Sequence, residues 1–169
     1  RSEGNQLLES IAEVVEVARK AGIRLQISHL KTSGKRNWHK MDQALRLIEE
    51  ARASGVDARC DRYPYTSSFT GLSSALPSWV FEGTREPYRA RLKVADVRAR
   101  IRDEMNHDYP DGDYLNRIVI AQTFSEGSHH FEGRSVTDAA KAVNKAPLDF
   151  LLDILSEEKS DPTAIYHTM

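Results

Sequence analysis

His29 and Lys31 stand two positions apart at the end of an apolar alternation, Ile23, Leu25 and Ile27. A period of two carried through them puts an imidazole and an ammonium on the face that branched hydrocarbon had been filling. A neutral imidazole ligates metal ions, and an ammonium nearby suits a carboxylate or phosphate on a substrate. The competing structural reading is a hydrogen-bonded histidine and a lysine that reaches water. On these two residues alone it is the stronger. Further along, "CDRYPYT" sets Tyr63 and Tyr65 on either side of Pro64, which stiffens the backbone that presents them. A phenol can hydrogen-bond a carboxylate or an oxyanion, although Tyr-Pro-Tyr taken alone reads as a packed strand exit. Cys60 alternates with Val56 and Ala58 and reads as a small core residue rather than a nucleophile or ligand. The adjacent His129 and His130 fit a surface loop, and His39, His107 and His167 have no spaced partner. The sequence carries no glycine-rich phosphate loop, paired-cysteine zinc pattern or nucleophile elbow.

Side chains at the C-terminal strand ends of a closed parallel barrel face a common cup, so His29 and Lys31 need such a strand end to do chemistry. The chain supplies candidates. Residues 5–21 place Leu7, Leu8, Ile11, Val14, Val15 and Ala18 at three- and four-residue steps, with acids early, bases late and Gly22 at the exit. The strand "IRLQIS" follows, then a polar loop. A second amphipathic helix carries Met41, Ala44, Leu45, Ile48 and Ala51 and ends at Gly55, before the strand "VDARCD". Helix, strand, helix, strand is the rhythm of parallel β/α units. Arg24 and Gln26 lie on the other face of the first strand, which a strand buried on both sides keeps apolar.

That rhythm breaks after "DRYPY". Residues 66–87 are rich in Ser, Thr, Gly and Pro and read as an ordered loop anchored by Trp79 and Phe81. "YRARLKVADVRARIRDEM" reads as one helix with Leu92, Val94, Val97, Ile101 and Met105 spaced for burial. "HDYPDGDYLN" is a turn, "RIVIAQT" a strand, and residues 125–134 a loop. Ser135 fits the N-cap of a helix through "SVTDAAKAV", and Pro147 the start of another that packs Phe150, Leu151, Ile154 and Leu155. "TAIYHTM" is a last strand.

The 169 residues suffice for an ordinary domain with a real core. A formal net charge of −1 gives bulk electrostatics no reason to recruit nucleic acid or an anionic membrane. The arginines from Arg85 to Arg102 are interleaved with Asp96, Asp103 and Glu104, so a solvated helix face accounts for them better than a nucleic-acid surface. No apolar run reaches spanning length. With one cysteine no internal disulfide can form, and a reducing, cytoplasmic setting is the expectation.

"RSEG", "ISHLK" followed by "GKRNWHK", "DRYPY", "TGLSSALPSWV", "RIVIAQT" and "AIYHTM" together resemble the N-acyl-D-amino-acid deacylases (D-aminoacylases) of the amidohydrolase superfamily. The resemblance runs the length of the chain, and "ISHLK" with "DRYPY" is its most specific part. It reverses the order of the two readings of His29. It implies an α/β fold: a fragment of a metal-dependent (β/α)8 barrel, about two β/α units, plus an inserted small α/β lobe. Residues 1–65 would be the barrel segment, 66–160 the lobe near the barrel mouth, and 161–169 the start of a return strand to the barrel. It also implies zinc, with metal-bound water attacking the amide of an N-acyl-D-amino acid. By position His29 matches a metal ligand. Lys31 and Tyr63 match residues that hold the substrate carboxylate, with Tyr63 also placed to help the developing oxyanion. Near Phe69 the family often carries a small or hydroxylated residue, so a polar contact is missing from that pattern here.

The family's other metal-binding histidine lies in a "THMR" strand end, of which this chain begins with the arginine, and its catalytic aspartate follows the point where "IYHTM" stops. One imidazole does not hold a catalytic zinc, which takes three protein ligands. The expectation is therefore an internal fragment of a zinc deacylase, inactive and without tight zinc binding by itself, and prone to self-association through exposed strand edges. Two other readings stand beside it. One is a cyclic amidase of the dihydroorotase or hydantoinase type. The other is a non-catalytic interaction module, which would have to close its own core within residues 1–65.

Overall fold

The computed structural model describes residues 2–82 and 87–168, so Arg85 and the terminal residues of the first and last motifs lie outside the described residues. The chain forms two compact units, residues 1–66 with 168–169 and residues 67–167.

In the first unit, helix α1 (Leu7–Ala21) buries Leu7, Ile11, Val15 and Ala18 along one stripe, with Glu9 in its first turn and Arg19 and Lys20 in its last. Gly22 ends it at φ 64°, where its N–H donates to the Ala18 carbonyl. A residue with a Cβ takes that left-handed geometry only under strain. Strand β1 (Leu25–Ile27) and strand β2 (Ala58–Cys60) pair in parallel, with Leu25 opposite Ala58 and Ile27 opposite Cys60. Helix α2 (Met41–Ala53) makes the crossover between them, as a parallel pair requires. Ala44, Ile48 and Ala51 of α2 meet the buried stripe of α1 over the strands. The paired residues Gln26 and Arg59 are exposed while Leu25 and Ile27 are partly covered, so the helices shield one face of the sheet. This is why Arg24 and Gln26 are tolerated there. Among the described residues, neither β1 nor β2 has a second strand neighbour.

The second unit holds strand β3 (Ser68–Gly71), helices α3 (Pro87–Arg91) and α4 (Ala95–Asp108), strand β4 (Ile118–Gln122), helices α5 (Val136–Ala142) and α6 (Pro147–Glu157), and strand β5 (Thr163–Tyr166). Its sheet has the order β3-β5-β4 with antiparallel neighbours. Ile118, Ile120 and Ala164 are fully buried on one face, where Leu151, Leu152 and Leu155 of α6 join the same core. Tyr166 donates its hydroxyl to the carbonyls of Gly71 at 2.9 Å and Leu72 at 3.0 Å, and burial pushes its phenol far above the usual tyrosine range. Ser135 caps α5 by accepting the Asp138 N–H at 3.0 Å, and Pro147 opens α6, both as the sequence implies.

Three expectations change. Residues 66–87 contain β3 within what reads as a loop, and Phe81 is 37% exposed rather than an anchor. The single helix over 88–105 is two helices, α3 and α4. The break lets Leu92 be fully buried, leaves Val94 49% exposed, and frees a Leu92 carbonyl that the Arg98 guanidinium takes at 2.6 Å. Cys60 is exposed, because β2 is covered at its Ala58 end alone. The segment 161–169 supplies β5 as the central strand of the second sheet, and residues 168–169 belong to the first unit again.

Candidate functional site

The alternation that points to His29 stops earlier than the sequence implies. β1 ends at Ile27, and His29 takes φ 45°, a left-handed conformation uncommon for a residue with a side chain. Asp61, the residue after β2, staples this turn. Its Oδ1 accepts the His29 N–H at 2.6 Å and its Oδ2 accepts the Gln26 side-chain amide at 2.8 Å. Its own N–H donates to the Ile27 carbonyl at 3.2 Å, and its carbonyl accepts the Leu30 N–H at 2.9 Å. The turn buries Leu30 and the Lys31 stem while the imidazole stays more than half exposed.

Glu3 gathers the side chains. Its Oε1 lies 2.8 Å from His29 Nδ1 and 2.5 Å from Lys31 Nζ. Its carbonyl accepts the Ser33 N–H at 2.7 Å, which ties the segment before α1 to the loop after Lys31. Lys31 Nζ also approaches His29 Nδ1 at 3.0 Å and donates to the His29 carbonyl at 3.3 Å. The Lys31 side chain is 8% exposed, so its ammonium needs that carboxylate. The Tyr63 ring adds a cation–π contact, with Nζ 5.3 Å from its centroid, and stacks on the Tyr65 ring at 6.4 Å. The expectation that Lys31 reaches water, on the structural reading, therefore fails. His29 and Lys31 come together around a carboxylate that the sequence pattern does not single out, and Tyr63 joins them through Lys31.

A neutral imidazole whose Nδ1 donates to a carboxylate carries its lone pair on Nε2, the arrangement that metal-ligating histidines adopt. His29 and Glu3 thus fit one ligand of a zinc ion with its orienting carboxylate. Among the described residues, no group of three or more His, Cys, Asp or Glu side chains could hold a metal. The fit is that of a contributor to a site.

His129 and His167 have partners elsewhere in the second unit. His129 contacts the Thr123 hydroxyl and Glu132, each at 3.1 Å, and His167 meets the Ser67 hydroxyl at 2.7 Å. The Thr123 amide first, then His129 and the Thr123 hydroxyl, hold the Glu132 carboxyl below the usual glutamate range. Signals for the missed residues were present in the sequence. Glu3 lies in "RSEG" and Asp61 in "DRYPY", but no period links either to His29.

No family model matches the chain. It is 40% identical over 72 residues to an N-acyl-D-glutamate deacylase from Alcaligenes xylosoxydans xylosoxydans, a match covering 43% of this chain and 15% of that protein. A D-aminoacylase from the same organism is 33% identical over 72 residues, with the same coverage. Among solved structures, the N-acyl-D-glutamate deacylase from Bordetella bronchiseptica, solved with zinc and a phosphonate inhibitor, superposes over the whole of this chain and 27% of its own, with a TM-score of 0.67 at 22% identity. A D-aminoacylase described as defining a subset of amidohydrolases gives 0.64 at 23% identity over the same shares. The chain thus spans about a quarter of the solved relatives and less of the curated ones. No helix among the described residues is long and apolar enough to cross a membrane. In sequence over those 72 residues, this chain is similar to an N-acyl-D-glutamate deacylase and a D-aminoacylase, and over its whole length it shares the fold of the matching segment of solved proteins of those names.

Proposed function

We propose that this chain is part of a zinc-dependent hydrolase that deacylates N-acyl-D-amino acids. In this reading the first unit is a two-strand segment of a (β/α)8 barrel and the second an inserted α/β lobe. The observation that carries it is the convergence of His29, Lys31 and Tyr63 at the exits of β1 and β2. Similarity to deacylases in sequence and in fold supports the substrate class. Among the described residues, the uncovered face and edges of the β1–β2 sheet support a barrel segment over a module that closes its own core.

His29 would hold the metal through Nε2, while Glu3 accepts the hydrogen bond from Nδ1–H and fixes the ring. Zinc, when bound, supplies polarisation of the amide carbonyl and a water acidic enough to react near neutral pH. Lys31 carries three N–H donors. Glu3 and the His29 carbonyl take two of them, and the third is offered to the substrate carboxylate. Tyr63 holds that carboxylate from the other strand exit and donates to the oxyanion as it forms. One metal ligand does not complete a zinc site, so the 169-residue chain by itself is inactive in this reading.

The test compares this chain with the longer protein that carries it, each supplied with zinc. N-acetyl-D-glutamate and N-acetyl-D-leucine are the substrates, and dihydroorotate is the control. Turnover of an acetyl-D-amino acid by the longer protein, lost at least about 100-fold with zinc content in His29→Ala, is the expected result. Turnover of dihydroorotate instead would overturn the assignment in favour of a cyclic amidase.

A further inference from the structure

Asp61 follows β2 directly, and nothing in the proposed chemistry uses it. Its carboxylate nevertheless makes the 2.6 Å hydrogen bond to the His29 N–H, at a residue whose φ of 45° an ordinary side chain avoids. The adjoining backbone is stapled to the same residue on both sides, through the Ile27 carbonyl before the turn and the Leu30 N–H after it. Gln26 occupies the second carboxylate oxygen, which fixes the direction of the first. An imidazole more than half exposed has little packing to orient it. Its direction is set by where its backbone stands and by what its Nδ1 meets.

We propose that Asp61 is a positioning residue for His29: it holds the left-handed turn that brings the ring's Nδ1 to Glu3 and leaves Nε2 facing outward. The division of labour is physical. Asp61 fixes the main chain, and Glu3 fixes the ring once the main chain has delivered it. Without the Asp61 oxygen, the His29 amide is left to solvent and the turn relaxes toward ordinary φ. The ring then leaves the 2.8 Å contact with Glu3. An asparagine supplies an equivalent Oδ1 acceptor and preserves the turn. The requirement is for an oxygen at that place, not for its charge.

This inference rests on the proposed deacylase reading only for the purpose that the orientation serves. It is tested on the full chain by nitrogen-15 NMR of the imidazoles at about pH 8.5, about two units above the reference histidine value. The parent chain should show His29 as one tautomer with the proton on Nδ1. In Asp61→Ala the two tautomers should average and exchange of the His29 amide should quicken at least about tenfold, while Asp61→Asn should restore both signals. Should Asp61→Ala fail to fold, Asp61→Glu, whose longer stem misplaces the oxygen, takes its place with the same expected averaging. An unchanged His29 tautomer in the alanine or glutamate variant overturns the proposal, as does an asparagine variant that behaves like alanine. The readout needs neither zinc nor turnover. Averaged tautomers alongside a longer protein without deacylase activity would sink the functional reading and leave this one standing; the reverse outcome would do the opposite.

Discussion

At the scale of single residues, the Lys31–Glu3 pair joins groups in unequal surroundings. The lysine side chain is 8% exposed and the glutamate 36%. Removing either partner therefore leaves a different problem behind. Glu3→Ala strands an ammonium in a buried setting and should cost about 1–3 kcal/mol. Lys31→Met keeps the packing of the stem and leaves a carboxylate that can turn to water, so it should cost less than about 1 kcal/mol. Urea denaturation of the two variants measures the difference. Equal costs would mean that the ammonium finds water or another carboxylate once Glu3 is gone. The asymmetry was hidden in the sequence, where Lys31 looks like a side chain on its way to solvent. Burial of this lysine depends on a turn at His29 and on a glutamate that precedes α1. Neither leaves a mark on the local pattern.

At the scale of elements, legibility follows the range of the forces that make each one. α1, α2, α5 and α6 declare themselves through periodicity and local caps, because their determinants lie within a few residues. β3 does not. Its residues Ser68 and Thr70 are polar, and what makes it a strand is pairing with β5, with Ser68 opposite Tyr166. The end of β1 is hidden for a related reason: a period of two has no way to announce a left-handed turn whose amide bonds to Asp61, a residue 32 positions further along the chain. Glu158 is a further long-range device. It is 2% exposed at the end of α6, and its carboxylate takes the Phe124 N–H at 2.9 Å and the Ser128 hydroxyl, closing the loop after β4. Burial favours its protonated form, but those donors, with Ser125, outweigh burial and hold the carboxyl below the usual glutamate range. A depressed folded-state pKa contributes stability that is present above the unfolded value and lost as pH falls through the folded one. Glu158→Gln should thus cost about 1–3 kcal/mol at pH 7. The gap to the parent chain should close as pH falls below about 4.3. Thermal melts between neutral and acid pH decide it; a gap independent of pH would show that the ionised carboxylate contributes nothing.

At the scale of the whole molecule, the two units have separate cores. Among the described residues, the first unit's buried cluster contains 10 side chains, and Ala18, Ala44, Ala51 and Ala58 are among them. The second contains 21, with Leu151, Leu152, Leu155, Ile118 and Ile120 at full burial. Apolar area removed from water scales with these sets, and a parallel pair of two strands has little cooperativity of its own. Unfolding should accordingly depart from a single transition, with the first unit giving way at lower denaturant. The chain's two tryptophans report the units separately. Trp38 sits half-exposed in the first, and Trp79 in the second donates to Glu104 at 2.7 Å with the Arg100 guanidinium 3.8 Å from its ring centroid. In Trp79→Phe, emission from Trp38 follows the first unit; in Trp38→Phe, emission from Trp79 follows the second. The Trp38 midpoint in urea should fall below the Trp79 midpoint even though Trp79→Phe removes contacts from the larger core, since that loss acts on the unit Trp38 does not report. Coincident midpoints would mean that the small first core draws its stability from the second, and the two units would then have to be treated as one cooperative structure.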